Sequence, residues 1–269
     1  MARLFTALLI GLVGAFSALS ASAQTKPSAD VVKALAPTGK LRAALNFGNG
    51  VLVQKGADGE PKGVTPELAA ALAKRLNVPL EFVFCTAAGK TFAGAAANAW
   101  DIAFIAIDPM RATEVDFSPP YVVIQGNYLV RKDSPFQRVA DLDKPGIRIG
   151  VGLGSVYDLY LTRTLKNATL VRNPEGGATG GIKPFVDEKL DAAAGVREPL
   201  DAYAKTHPEV RVIPESFEEI RQAIGTPKGR GEAGLAYLRG FVEEMKANGF
   251  VADALKRSGQ TAPVAPPGN

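Results

Sequence analysis

Residues 100–121, WDIAFIAIDPMRATEVDFSPPY, hold the side chain best suited to chemistry in this chain. Asp101 precedes an apolar run over residues 102–107, short enough for a buried strand. Asp108 and Pro109 break the run, Arg111 follows, and Ser118-Pro119-Pro120-Tyr121 closes a second turn. A buried strand that ends in a turn and delivers one guanidinium suits a carboxylate clamp. Arginine offers a planar fork of donors that pairs with a carboxylate through two parallel hydrogen bonds. Taken alone, such a residue is more readily a surface arginine on a loop.

Other reactive residue types are scarce. Cys85 is the single cysteine, so no disulfide forms within the chain, and in the alternating LEFVFC run it reads as a buried, inert thiol. His207 is the single histidine. One of each gives zinc sites and histidine-based triads little to work with, and no cofactor or metal is expected. GVGLG, residues 150–154, lacks the full glycine spacing of a dinucleotide fingerprint.

The elements that must position Arg111 follow from periodicity and punctuation. Residues 41–45 read as a first strand and 46–50 as the loop at its carboxyl end. Residues 56–59 suit a hairpin turn. Thr65 before Pro66 marks a helix start, and Leu68, Leu72 and Leu76 recur along one face. Strand 80–84, an alanine-rich helix 91–99 and strand 101–107 continue a βαβ alternation, which argues for parallel strands flanked by helices. Trp100 is expected between helix and strand. Residues 121–130 read as a strand, and the pattern restarts at 147–151. Gly152-Leu153-Gly154-Ser155 leads into a helix over 156–166, with Ser155 a natural N-cap. Strand 169–171, a glycine-rich loop 176–181, strand 190–196, helix 199–206 and strand 210–213 follow. A long helix over 232–248 ends at Gly249 as its C-cap candidate. Phe47 and Tyr157 stand beside the loops that carry Asn46 and Ser155, where either could stack on a flat ligand.

Composition is that of an ordinary globular protein, 46% hydrophobic and 22% charged. The +4 net charge is scattered among acids with no basic run, so no nucleic-acid partner is expected. Residues 1–23 combine a short positive start, an apolar core and Ala21-Ser22-Ala23, which is a secretory signal peptide too short to span a membrane. Export to the periplasm and a mature start at Gln24 follow. Residues 260–269 carry three prolines and are expected to form a disordered tail.

Asp-Ile-Ala, a short strand, Pro-x-Arg, then Val115-Asp116-Phe117-Ser118 and Pro120-Tyr121 together resemble the extracellular solute-binding proteins of family 3. These are the periplasmic receptors that feed polar amino-acid ABC importers, and the similarity runs from about residue 41 to 259. The resemblance implies an α/β, two-lobed periplasmic binding protein type II fold. Each lobe would be a mostly parallel sheet flanked by helices, and two strands would form the hinge. Lobe 1 is expected over 38–123 plus 221–259 and lobe 2 over 124–220, with crossings near 121–126 and 217–224. It also implies that Arg111 grips the carboxylate of a ligand, and that Gly154 and Ser155 bind the same carboxylate at a helix N-terminus. Asp108, in the turn that presents Arg111, is counted with them. The implied partners are a small organic acid or amino-acid-like ligand and a membrane permease of an ABC transporter, with the receptor a monomer.

The chain departs from the family where amino-acid receptors hold the ligand's ammonium. Counting from Asp191-Ala192, the family's Asp position is Val196, with Arg197 next; a one-residue slip would place Arg197 in the pocket instead. Asn46, Asn49 and Ala106 stand where the family has an acid, an aromatic and a hydroxyl. The expected ligand is therefore a carboxylate other than a standard amino acid. Two alternatives stand beside it: an ordinary amino-acid receptor, and an enzyme on this scaffold like the periplasmic cyclohexadienyl dehydratases. The enzyme would need an acid or base poised in the cleft, and a receptor, not an enzyme, is the expectation.

Overall fold

The structure is a computed structural model that describes residues 26–177 and 180–268. The expected signal peptide lies outside the described residues. A helix absent from the sequence reading, α1 (Ala29–Leu35), opens the described chain, with the Ser28 hydroxyl accepting the Val31 N–H at its start. β1 (Leu41–Asn46) follows, then a hairpin of β2 (Gln54–Lys55) and β3 (Pro61–Lys62), and α2 (Val64–Leu76). The α2 start differs from expectation. Gly63 is its N-cap at φ 125°, where a Cβ would lie 2.5 Å from the Leu52 carbonyl oxygen. Thr65 sits inside the first turn and donates its hydroxyl to Leu52 O. Pro66 is tolerated there because first-turn N–H groups have no helical acceptor.

β4 (Leu80–Cys85), α3 (Ala88–Ala96) and β5 (Ile102–Ala106) complete the first parallel group, β4-β1-β5. Trp100 is fully buried, its indole N–H donated to Thr91 O at 2.9 Å. β6 (Val115–Phe117) leads to the long β7 (Val122–Arg131). The second parallel group, β10-β8-β9, comprises β8 (Arg148–Gly152), β9 (Thr169–Asn173) and β10 (Ala192–Val196), with α4 (Val156–Thr164) and α5 (Ile182–Asp187) between them. α6 (Arg197–Thr206), β11 (Val210–Val212), β12 (Glu218–Pro227), α7 (Glu232–Ala247) and α8 (Phe250–Arg257) complete the order. Gly249, at φ 81°, stands between α7 and α8, one residue past the C-cap Asn248.

The strands join in one curled sheet, β4-β1-β5-β12-β7-β10-β8-β9, with β11 beside β7 and β6 beside β12. β12 and β7 run antiparallel to each other between the two parallel groups, in register from Gln222↔Val122 to Glu218↔Gly126. These are the segments where the sequence reading placed the crossings between lobes.

The C-terminal residues 260–268 correct an expectation, since they are seated on β7. Val264 bridges to Val122, Val123 donates to Pro263 O, and Ala265 donates to Tyr121 O. Prolines cannot donate, yet their carbonyls accept, so the segment still pairs. Ala262 and Ala265 are buried by it.

The amino end of β5 is closed by charge. Asp101 is fully buried and accepts from Arg42 through its backbone N–H, Nε and Nη2, while Arg230 Nη2 lies 3.2 Å from Asp101 Oδ1.

Candidate functional site

Every residue of β5 is buried, and its carboxyl end delivers Arg111. Asp108 Oδ1 accepts the Met110 N–H at 2.8 Å, which shapes the turn, and a single 3-10 turn, Arg111–Thr113, follows. Arg111 has no solvent exposure. Its Nη1 donates to Ala106 O at 3.0 Å and its Nη2 to Gly154 O at 2.9 Å, while Nε is buried with no acceptor among the described residues. Burial pulls the guanidinium pKa down to about 10, against the opposing pull of the Asp108 and Glu218 charges. It stays a cation at neutral pH, and no carboxylate forms an ion pair with it among the described residues.

α4 begins at Ser155, whose Oγ accepts the Asp158 N–H at 3.1 Å. Asp158 reaches back to accept the Gly154 N–H at 2.9 Å and is held by Arg172 Nε, also at 2.9 Å. This alters the expected role of Gly154. Its amide serves Asp158, and its carbonyl serves Arg111. A carboxylate in the first helical turn completes that end by itself. Tyr157 donates its hydroxyl to Gly177 O at 2.7 Å, and burial raises its pKa. The Ser155 hydroxyl also stands within hydrogen-bonding reach of the Tyr157 hydroxyl, which opposes part of the rise in the Tyr157 pKa.

One small pocket brings together Asn46, Asn49, Ala106, Arg111, Ser155, Tyr157 and Val196. Four expected residues fall outside its lining. Phe47 packs edge-on against Phe84, and Gly154 acts only through its backbone. Asp108 Oδ2 lies 2.7 Å from Arg163 Nη2, an ion pair whose angle falls short of a hydrogen bond. Arg197 points to Gln125, Pro214 O and Asp201, because α6 begins at once after Val196. Val196 and not Arg197 therefore lines the pocket. Gln222 of β12, 5% exposed, lines it too and was missed. Its signal was its place in the return strand beside Ala106, which only the strand register reveals.

Glycines meet across the pocket mouth. A Cβ on Gly154 would lie 2.9 Å from Gly89 Cα, one on Gly48 2.8 Å from Gly177 Cα, and one on Gly176 2.7 Å from Ala87 Cβ. Outside the pocket lining, burial pushes the Glu218 carboxyl up to about 8, with the nearby Asp108 charge adding to the shift and Arg163 and Arg111 opposing it.

The comparisons with known proteins agree with this architecture. The L-cystine-binding protein TcyJ of Escherichia coli strain K12 is 26% identical over 204 residues, covering 72% of this chain and 73% of the relative. The crystal structure of an ancestral amino acid-binding protein, AncCDT-1, described as a precursor of cyclohexadienyl dehydratase, is 26% identical. It superposes with TM-score 0.68, covering 84% of this chain and 98% of that one. The cysteine-binding protein of Campylobacter jejuni has the same two-lobed fold at TM-score 0.71 and 22% identity, covering 84% and 92%. Residues 52–260 match the family itself, and the chain belongs to the bacterial extracellular solute-binding proteins, family 3.

Proposed function

We propose that this protein is the receptor of an ABC importer and closes on a small carboxylate held by Arg111 and Ser155. The supporting observation is the buried Arg111 cation, which has backbone carbonyls but no carboxylate as partners. A buried guanidinium usually needs a charged partner, and a ligand carboxylate would supply one. The pocket carries no carboxylate or imidazole among its described residues. That favours a receptor over a dehydratase, which needs a poised acid or base. It also disfavours a standard amino acid, whose ammonium would face Val196, Ala106 and amides. Export through the signal peptide to the periplasm, action as a monomer and delivery to a membrane permease complete the reading.

β7 and β12 serve as the hinge, with lobe 1 over 38–123 plus 221–259 and lobe 2 over 124–220. A thermal-shift screen of carboxylic acids identifies ligands. Repeating the hits with Arg111→Ala should abolish the shifts, and shifts that persist would refute the clamp. Small-angle scattering with a confirmed ligand should show a smaller radius of gyration than without it.

A further inference from the structure

We infer that Asn46 and Asn49 form a pair of hydrogen-bond donors that select an acid bearing an acceptor oxygen, a 2-oxo or 2-hydroxy acid, over the matching amino acid. The inference rests on the receptor reading above and adds the chemical class of the ligand. A primary amide has one acceptor oxygen and an NH2 group with two donors. In both residues the oxygen is already engaged. Gly48 N–H donates to Asn46 Oδ1 at 3.0 Å, and Val51 N–H donates to Asn49 Oδ1 at 3.3 Å. A backbone N–H can only donate, so these bonds fix which end of each amide is oxygen.

What each side chain has left is its NH2, and neither nitrogen has an acceptor among the described residues. Both side chains line the pocket with Arg111, and a local turn, Asn49 N–H to Asn46 O at 3.0 Å, holds them together. An ammonium is also a donor with no acceptor capacity, so it would meet two donors and forfeit its hydration. A carbonyl or hydroxyl oxygen would instead accept from them. Gln222 can turn either end of its amide toward a ligand and does not decide the sign.

The test is calorimetry on the protein with two matched series. One is alanine, pyruvate, lactate and propionate; the other is phenylalanine, phenylpyruvate, phenyllactate and 3-phenylpropionate. In at least one series the 2-oxo or 2-hydroxy acid should bind roughly tenfold tighter than the amino acid, and tighter than the unsubstituted acid, as expected for one donor bond to a charged or strongly polar group. Asn46→Asp and Asn49→Asp each keep an oxygen for the backbone N–H and replace the NH2 by a carboxylate oxygen. Each should move the preference toward the amino acid, and the double variant should reverse it. Equal binding of amino acid and oxo acid, with the ratio unmoved by both variants while Arg111→Ala still removes all binding, overturns this inference and leaves the receptor reading standing. No binding in either series, or binding indifferent to Arg111→Ala, overturns both. Circular dichroism on each variant separates lost folding from lost binding.

Discussion

Strand β5 (Ile102–Ala106) has a buried charge at each end, and the two are treated oppositely. At its amino end Asp101 takes three bonds from Arg42 and a contact from Arg230, and the bonds to Asp101 raise the Arg42 pKa. At its carboxyl end Arg111 is as fully buried as Asp101 and has only carbonyls, and burial lowers its pKa to about 10. Arginine therefore does two jobs at the two ends of one strand. A charge whose partners are all built in holds structure. A charge left short of a partner is stabilised by whatever brings one, which is the physical content of a binding site.

This contrast is open to test, beginning with the largest effect. Asp101→Ala strands two guanidiniums and a backbone N–H. Breaking a buried pair costs about 3–5 kcal/mol, or a fall in Tm of roughly 6–20 °C for a chain of this size. Chemical denaturation measures it directly, and a loss under about 1 kcal/mol would end the view of this end as structural. Arg111→Ala should behave the other way. Ligand affinity should drop well over tenfold, since charge-assisted bonds contribute roughly 1.5–3 kcal/mol each. Stability without ligand should fall far less than for Asp101→Ala, because a poorly paired buried cation is removed along with its two carbonyl bonds. If both variants lose stability equally, the distinction between the two ends fails.

The smallest effect concerns Glu218, whose carboxyl lies near Asp108, Arg163 and Arg111. Its pKa in the fold is raised, so the folded protein binds this proton more tightly than the unfolded chain does. The associated stability is complete below the ordinary glutamate range and is lost as pH rises through about 8. Glu218→Gln mimics the protonated form. Its Tm relative to the parent should therefore improve between pH 6 and pH 9, in paired thermal melts. A constant difference across that range would show that Glu218 ionises freely in the fold.

How much of this was legible in the chain depends on distance along it. The β5 strand, its breaking turn and Arg111 form one contiguous signal, and Leu68, Leu72 and Leu76 marked the buried face of α2 in the same way. The crossings near 121–126 and 217–224 came from the family resemblance, since β12, with Glu218, Glu219, Arg221 and Gln222 in its first half, has no long apolar run to mark it. α1 was hidden by its polar setting, although Ser28 followed by Val31 and Leu35 carries a cap and a spaced apolar pair. The tail was misjudged because prolines argue against a strand's donors and say nothing of its acceptors. Gln222 beside Ala106, Asp108 beside Arg163, and Gly154 serving Arg111 join residues tens of positions apart. No periodicity encodes such meetings. The register of Val196 against Arg197 needed only the point where α6 begins.

The glycines at the pocket mouth have a consequence for how strength and choice of binding are divided. Lips that meet backbone to backbone leave little room for even a methyl group, so a side chain at Gly89, outside the pocket lining, would press on Leu153 O and Gly154 and wedge them apart. Under the closure proposed above, such a wedge would touch no ligand atom and would lower the fraction of molecules that can shut. Apparent affinity scales with that fraction, whatever the ligand. Every ligand would then be weakened by one common factor, with their rank order intact. On that proposal the mouth would act as a gain control that can be turned independently of selectivity, and variants at Gly89 would let a detector built on this protein report higher concentrations of the same molecule.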